Sequence, residues 1–325
     1  MVNIFKDPHW SDLKNIITLF FFGEILFSFS LLNFDVRAIN EDYMFKSNWG
    51  EKKYKNGQLS EIHDVHSIGK FVYVPDYENH KIKKFTSDGE LVLEWGSEGS
   101  DQGEFDTPHS VATDSFGNVY ITDMNNKRIQ KFDENGTFIL EWGGPGKGAG
   151  EFMHPHGIAI DLNNNIFVSD AQLENIQKFT DDGIFITKWG SENRNDEKLF
   201  GWTENIDVDS AGNVYVADMS ESRVQKFDNN GTFIKQWGER GEENGEFESP
   251  TGLSVDEEDN VYVIDDTGRI QKFTDDGKFI TSFGENGTEN GQFRISEGLD
   301  VDSDGVVYIA DTGNHRIQVF TKADQ

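Results

Sequence analysis

The stretch GNVYVADMSESRVQKFDNNGTFIKQWG, residues 212–238, carries the pattern that decides the fold. It contains three short runs rich in Val, Ile, Phe and Tyr, and the residues between them are the Ser, Asn, Asp and Gly typical of tight turns. Such runs predict short antiparallel β-strands. An earlier apolar run at residues 203–208 adds a strand, so one period of sequence predicts four strands.

The same pattern recurs along most of the chain. Its last strand closes six times on Trp-Gly or Phe-Gly, with spacings of 46 to 48 residues, at Trp49, Trp95, Trp142, Trp189, Trp237 and Phe283. A period of this length is typical of propellers and solenoids. Four strands in each of six periods predict an all-β, six-bladed β-propeller. The alternative is a β-solenoid, whose coils repeat at shorter periods.

The two ends of the repeat array complement each other. Residues 43–50 have the pattern of a fourth strand with no first three before them, whereas the sixth period ends after three strands. We therefore expect the N-terminal strand to pair with the last blade and close the ring, in one propeller domain at residues 42–325. Ring closure removes the exposed sheet edges that an open array would present.

The first 41 residues have a different composition. The run from Ile16 to Phe34 is strongly apolar and carries one charge, Glu24. Such a run predicts a signal peptide or a membrane anchor, with a buried helix as the alternative. We expect an exported protein, extracellular or at the cell surface, that is either released or attached to the membrane through this segment.

Composition narrows the choice of partners. The 325-residue chain has 59 acidic and 29 basic residues, a net charge of −30, and no cysteine. A strongly negative protein repels phosphate backbones, so nucleic acid is not expected as a partner. Disulfides and thiol chemistry are excluded. We expect a monomeric propeller whose face binds a protein, a glycan or a small molecule.

Two columns of the repeat indicate structural roles, because they recur in nearly every blade. An Asp closes the second strand at Asp76, Asp123, Asp170, Asp218, Asp265 and Asp311. A basic residue opens the third strand at Lys81, Arg128, Arg223, Arg269 and Arg316, with Asn175 in the remaining blade. We expect a bracing hydrogen bond or ion pair within each blade, and packing between blades from the Trp-Gly column.

The column that opens the first strand differs from blade to blade. It contains His63, His109, His156, Glu204, Thr251 and Glu297. First strands border the central channel of a propeller, so these side chains are expected at one mouth of it. Imidazole and carboxylate groups are ligands of zinc and similar ions. The column predicts a metal site of His63, His109 and His156, with Glu204 and Glu297; the structural alternative is a set of hydrogen-bonded His residues spread by blade duplication.

Four further residues near this column are weaker candidates: His66, His154, Asp207 and Asp300. The two Asp residues lie further along the first strands, and their carboxylates would also suit calcium.

The repeat resembles the NHL repeat over residues 43–325, most clearly in residues 212–238 and in VVYIADTGNHRIQVF near the C-terminus. The resemblance implies the fold but not the function, because NHL propellers include RNA readers, surface modules and the peptidyl-hydroxyglycine amidating lyase. In that lyase, zinc is held by His residues in P-H-G or P-H-S contexts. Here Pro108-His109-Ser110 and Pro155-His156-Gly157 match that context, and His63 follows Ile62 instead. The lyase's catalytic Tyr and Arg have no identified match here.

Two functions remain open. The preferred one is an exported propeller that acts as a binding scaffold. The alternative is a lyase or hydrolase that depends on zinc or calcium at the channel mouth. Motifs of other enzyme classes, such as G-x-S-x-G, the P-loop and H-E-x-x-H, do not occur in the sequence.

Overall fold

The structure, a computed structural model, describes residues 42–51, 57–190 and 201–323. These residues form six four-stranded antiparallel sheets and one two-stranded parallel pair. Neighbouring first strands contact one another in a closed cycle around the axis. The all-β, six-bladed propeller predicted from the sequence is confirmed.

The strands of the first three blades are β2 (His66–Ile68), β3 (Phe71–Asp76), β4 (Lys81–Thr86) and β5 (Leu91–Trp95); β6 (Pro108–Thr113), β7 (Val119–Asp123), β8 (Arg128–Phe132) and β9 (Phe138–Gly143); β10 (Pro155–Ile160), β11 (Ile166–Asp170), β12 (Asn175–Phe179) and β13 (Phe185–Gly190). Those of the last three are β14 (Thr203–Val208), β15 (Val214–Asp218), β16 (Arg223–Phe227) and β17 (Phe233–Trp237); β18 (Pro250–Val255), β19 (Val261–Asp265), β20 (Ile270–Phe273) and β21 (Phe279–Phe283); β24 (Gly298–Val301), β25 (Val307–Asp311), β26 (Arg316–Lys322) and β1 (Tyr43–Trp49). The short parallel pair is β22 (Glu285–Asn286) with β23 (Gln292–Phe293).

The predicted ring closure is confirmed. Strand β1 pairs antiparallel with β26, from Tyr43 opposite Lys322 to Trp49 opposite Ile317. The sixth sheet has the strand order β1-β26-β25-β24, so its outermost strand comes from the N-terminal side of the propeller and its other three from the C-terminal side.

Helical structure in the described ranges is limited to two short 3-10 turns, Tyr77–Asn79 and Thr312–Asn314. Within residues 42–51, 57–190 and 201–323, no helix is long and apolar enough to cross a membrane. The predicted leader at residues 1–41 lies outside the described residues, so its role stays a prediction.

The hydrophobic core lies between blades. In the described residues the buried apolar side chains form six clusters, each drawn from two adjacent blades. Between the second and third blades, for example, Tyr120 and Ile129 pack with Ile158, Val168 and Phe179. Since no blade has a core of its own, each one is stabilised by its two neighbours.

The Trp-Gly column packs between blades, as predicted. The indole of Trp142 lies against Gly183, the turn glycine between the third and fourth strands of the next blade, and a β-carbon at Gly183 would lie 2.7 Å from the ring. The same pairing occurs at Gly89, Gly136, Gly231 and Gly277 with the Trp of the preceding blade. Each such glycine has a positive φ, which is +76° at Gly183.

Ring closure accounts for the one Phe in this column. The sixth blade has no hairpin between its third and fourth strands, because β1 arrives from elsewhere in the chain. The ring of Tyr43, at the start of β1, stacks on Phe283 with centroids 4.5 Å apart. An aromatic stack thus replaces the indole-on-glycine contact at the closing seam.

The buried Asp column braces each blade, as predicted. Asp123 is fully buried and binds Arg128 Nε at 2.8 Å, and it accepts the backbone N–H of Asp106 at 2.8 Å. Equivalent ion pairs join Asp218 to Arg223, Asp265 to Arg269 and Asp311 to Arg316. The Asp therefore joins the second and third strands to the loop that leads into the first strand.

The ion pairs of the first blade differ from those of the other blades. Lys81 binds Glu94 at 2.5 Å, and the partner of Asp76 is Lys83, at 2.7 Å. Lys83 occupies the position of a Gln in the other blades, such as Gln130. In the first blade a lysine at the Gln position therefore reaches the bracing Asp, which the Arg that opens the third strand does in other blades.

A second column of buried charges was not recognised in the sequence. Lys131 is buried, its ammonium lies 5.0 Å from the centroid of the Tyr120 ring, and it donates to the backbone oxygen of Asp181 in the next blade at 3.1 Å. Lys84, Lys178 and Lys226 make the equivalent bond to their next blade. These lysines thus connect blades at the outer turns.

Replacing Gly183 by Ala should destabilise the propeller. A β-carbon there meets the Trp142 ring and forces a side chain into a positive-φ conformation, and the conformation alone costs about 1 kcal/mol or more. The matched control is Gly117→Ala, at φ +82° with nothing within 4 Å of the added carbon. Urea unfolding should show a larger loss for Gly183→Ala; equal losses would mean that the indole contact contributes nothing.

Candidate functional site

The column that differs between blades lies at one mouth of the channel. His109, His156, Glu204 and Thr251 are each the second residue of a first strand, in β6, β10, β14 and β18. His63 and Glu297 precede the first strands of their blades. A narrow depression at this mouth is lined by five of the six, His63, His109, Glu204, Thr251 and Glu297, together with neighbouring residues.

Five of these side chains form one continuous row. Glu297 hydrogen-bonds His63 Nδ1, and the His63 ring lies 4.8 Å from that of His109 between centroids. His109 stacks on His156 at 4.1 Å, and His156 Nδ1 lies 2.8 Å from Glu204 Oε2. The row therefore has a carboxylate at each end and three imidazoles between them.

Thr251 takes a structural role in this column. Its hydroxyl donates to the backbone oxygen of Ser296 at 2.7 Å, in the next blade. This position of the mouth thus links the fifth and sixth blades.

Two overlapping sets of side chains in the row have the separations of metal ligands. The His156 set is His109, His156 and Glu204, and the His63 set is His63, His109 and Glu297. In each set the nearest ligand atoms lie within 4.8 Å of one another. His109 belongs to both sets. Three ligands of this kind leave coordination positions for water or a ligand.

Hydrogen bonding distinguishes the two sets. His109 Nδ1 and His156 Nε2 are buried and have no hydrogen-bond partner, and these residues are only 7% and 5% exposed. In His63 both ring nitrogens are engaged, Nδ1 with Glu297 and Nε2 with Glu61 at 3.2 Å. Buried polar atoms are rarely unpartnered in folded proteins. The His156 set therefore offers the free lone pairs that a metal requires.

The pKa values of the imidazoles differ along the row. Burial, followed by the neighbouring His156, His63 and His154, lowers the pKa of His109 well below its usual value, so this ring is neutral at neutral pH. Burial also lowers the pKa of His63, but the hydrogen bonds and negative charges of Glu297 and Glu61 outweigh it and raise the pKa overall. A neutral imidazole binds a metal, whereas a protonated one must first lose its proton.

Aromatic rings flank the row. Tyr77 lies 4.5 Å from His63 between ring centroids, and Trp202 lies 5.7 Å from His156. His154 contacts both Trp202 and His156, and burial is the main cause that lowers its pKa to about 4. The sequence did not point to Tyr77 or Trp202 as site residues.

A signal for both was present in the sequence. Tyr77 follows the bracing Asp of its blade, where the other blades have Met124, Ala171, Met219, Asp266 and Thr312. Trp202 stands two positions before Glu204 of the mouth column, and the equivalent residues of the other blades are Glu61, Thr107, His154, Ser249 and Ile295. Both columns vary between blades as the mouth column does.

The weaker candidates separate into two places. His154 lies at the mouth, next to His156. His66, Asp207 and Asp300 line a larger cavity of about 580 Å³ along the rest of the channel. Asn205 Nδ2 lies 3.4 Å from Asp64 Oδ1, and these two residues line both the mouth depression and the cavity. Since the first and fourth blades are opposite in a ring of six, this bond crosses the channel.

Fold and repeat sequence together define a six-bladed propeller of the NHL type. The sequence model of a family described as "6-bladed beta-propeller" matches residues 112–188 and 193–282, and that of the NHL repeat matches residues 297–320. The chain belongs to this 6-bladed beta-propeller family. A comparison with curated protein sequences gives no significant match.

Solved structures share the fold at low sequence identity. A streptogramin B lyase is 15% identical, with 86% of this chain and 98% of that chain covered and a TM-score of 0.61. A catalytically inactive virginiamycin B lyase variant from Staphylococcus aureus, solved with quinupristin, is 14% identical, with 87% and 100% covered and a TM-score of 0.60. A protein of unknown function from Bacteroides thetaiotaomicron is 16% identical, with 87% and 72% covered and a TM-score of 0.62.

Replacing Glu297 by Gln should destabilise the protein more at pH 6 than at pH 9. The raised pKa of His63 means that its pairing with Glu297 stabilises the fold below the unfolded pKa, near 6.5, and that this stabilisation is lost as pH rises through the folded pKa. Thermal melts of the wild type and of Glu297→Gln at both pH values test this. Glu258→Gln, at an exposed position, removes one charge as the control; the same pH trend in both variants would contradict the assignment.

Proposed function

We propose that this propeller binds a divalent metal ion at the His-lined mouth and uses the metal to hold a ligand at the propeller face. The observation that carries the proposal is the pair of buried, unpartnered nitrogens, His109 Nδ1 and His156 Nε2, on two residues that form a group of metal-ligand separation with Glu204. Without a ligand each of these nitrogens would remain desolvated and unbonded, which costs about 1–3 kcal/mol per group.

The chemistry of the donors favours zinc. The His156 set provides two imidazoles and one carboxylate, a ligand set suited to zinc, whereas calcium prefers oxygen ligands alone. Glu204 contacts the nitrogen of His156 opposite the free one, an arrangement that fixes the ring and directs Nε2 at a metal. Glu204 therefore serves either as a ligand or as the group that orients His156.

Zinc titration of the chelator-treated protein by calorimetry tests the proposal. We expect binding of about one ion per chain. His109→Ala should abolish binding, because His109 belongs to both sets, and Glu204→Gln should weaken it about 10–100-fold. His66→Ala, at a His elsewhere in the channel, is the control and should bind normally. No zinc binding, or equal loss in His66→Ala, would contradict the proposal.

Two single variants distinguish the ligand sets. His156→Ala should reduce zinc affinity strongly, and His63→Ala should reduce it little, because both nitrogens of His63 are already hydrogen-bonded. The opposite order would assign the ion to the His63 set.

A second candidate function is a metal-dependent lyase or hydrolase. Two observations favour it. First, the mouth has carboxylates in contact with imidazoles. Second, propellers with the same fold include lyases, and one of them is solved as an inactive histidine-to-alanine variant with quinupristin. A metal bound there would polarise a carbonyl or lower the pKa of bound water. Glu204 and Glu297 are placed to accept or return a proton through His156 and His63.

Quinupristin separates the two functions for one named compound. It is incubated with the zinc-loaded protein and followed by liquid chromatography. A new peak that depends on His109 would favour the enzyme, whereas recovery of the intact compound would favour the binding function for this ligand.

We also propose that the protein is exported and acts outside the cell or at its surface. The support is the apolar segment at residues 16–34. Cell fractionation with N-terminal sequencing should find the protein outside the cell or in the membrane fraction. An entirely cytosolic protein that retains Met1 would contradict this.

A further inference from the structure

The channel beyond the Asp64–Asn205 bond is a second cavity, unlike the His-lined mouth. Its volume of about 580 Å³ falls within the range of small-molecule sites. It is bounded by the inner strands and by the turns that follow them, such as the residues around Leu162, Asp259 and Ser303. It therefore lies toward the opposite end of the first strands.

One part of the cavity wall is acidic. Asp207 and Asp300 stand at the same position of the first strand in the fourth and sixth blades, and Asp64 lies at the floor. Asp300 accepts hydrogen bonds from Ser67 N at 2.6 Å and Ser67 Oγ at 2.5 Å. Asp207 accepts from Val255 N at 2.7 Å. Neutral donors thus hold these carboxylates in place without neutralising them.

The part of the wall from the second and third blades is mainly apolar. At the position equivalent to Asp207 and Asp300, the second and third blades have Ala112 and Ala159. Toward the turn end the same side carries Ile68 and Leu162, which are 39% and 79% exposed. Apolar lining with a few polar groups is typical of small-molecule sites. The cavity is therefore amphipathic.

The charges of the cavity are not balanced. Among the described residues that line it there is no Lys or Arg, and His66, whose Nδ1 lies 3.8 Å from Asp300, is the one group that can become cationic. Asp209, which also lines the cavity, has Lys226 as a basic partner at 3.2 Å, whereas the hydrogen-bond donors described above for Asp207 and Asp300 are all neutral. Burial and the neighbouring Asp300 raise the pKa of Asp207 to about 7. A bound cation would supply the missing partner.

We propose that this cavity binds a small organic cation, a protonated amine on an apolar body, with the ammonium group at Asp207 and Asp300 and the apolar body against Ala112, Ala159 and Leu162. A bare metal ion would satisfy the carboxylates but leave the apolar wall unused. A neutral apolar molecule would fill the wall but leave the carboxylates without a counter-charge. An amphipathic amine fits both parts.

Calorimetry with cyclohexylamine, benzylamine and 1,6-diaminohexane tests the proposal on the wild-type chain at neutral pH. At least one amine should bind saturably below about 10 mM, a concentration at which a site with millimolar Kd is largely filled. The neutral counterparts cyclohexanol and benzyl alcohol should bind at least about 10-fold more weakly, because they cannot pair with the carboxylates. Failure of all three amines, or equal binding of the alcohols, would overturn the proposal.

Asp300→Asn locates the site. The amide can still accept from Ser67 and can donate to Ser254 Oγ, which lies 3.3 Å from Asp300 Oδ1, so the variant should keep the fold, as a melting curve checks. Amine affinity should fall about 10-fold or more through loss of the charge. Asp182→Asn, at an exposed outer turn, removes the same charge elsewhere and should bind normally. Equal effects in the two variants would mean that only the net charge attracts the amine.

Two further measurements separate this site from others. Calcium is titrated in place of the amine, and we expect no saturable binding that depends on Asp300. If calcium binds to the wild type but not to Asp300→Asn, and the amines do not bind, the cavity is a hard-ion site and the proposal is overturned. His109→Ala, at the other mouth, should bind amines normally, so amine binding and zinc binding can succeed or fail independently.

Discussion

The pairing of β1 with β26 is the constraint on which the rest of the structure depends. Each blade buries its apolar face against the next one, so an open row of blades would leave apolar faces uncovered at both ends. Strand β1 carries Trp49 into the cluster between the sixth and first blades, and Tyr43 and Phe45 onto the cluster between the fifth and sixth. Closure also brings Glu297 of the last blade to His63 of the first, so the row at the mouth is complete only in the closed ring.

The sequence predicted the parts of the structure that repeat. Strand number, ring closure, the Asp column and the Trp-Gly packing could all be predicted, because a feature that recurs in the six copies can be told apart from the variation of a single blade. Local exceptions could not be predicted. In the first blade Asp76 pairs with Lys83 rather than with the residue that opens the third strand, because the lysine side chain is long enough to reach it. The described ion pairs of the other blades do not show this pairing. Tyr77 and Trp202 were missed because only the folded ring shows that their columns lie beside the His row.

The sequence also predicted which residues meet at the mouth, but not how they are bonded. A column of His and Glu identifies neighbours on a ring. It does not tell which nitrogen is bonded and which is free, since this depends on rotamers and on second partners such as Glu61. The distinction between His63 and His156 therefore came from the structure, although both occupy the same column.

One asymmetry links the two ends of the channel. The first three blades supply the imidazoles at the mouth and most of the apolar wall of the cavity, whereas the fourth and sixth blades supply a carboxylate to each end: Glu204 and Glu297 at the mouth, Asp207 and Asp300 in the cavity. The Asp64–Asn205 bond joins the two halves across the axis. Asp64 and Asn205 line both the depression at the mouth and the cavity, so this bond lies between the two candidate sites. The outer strands repeat regularly, so the fold does not require imidazoles on one side of the axis and carboxylates on the other. We therefore assign both candidate sites to the axis.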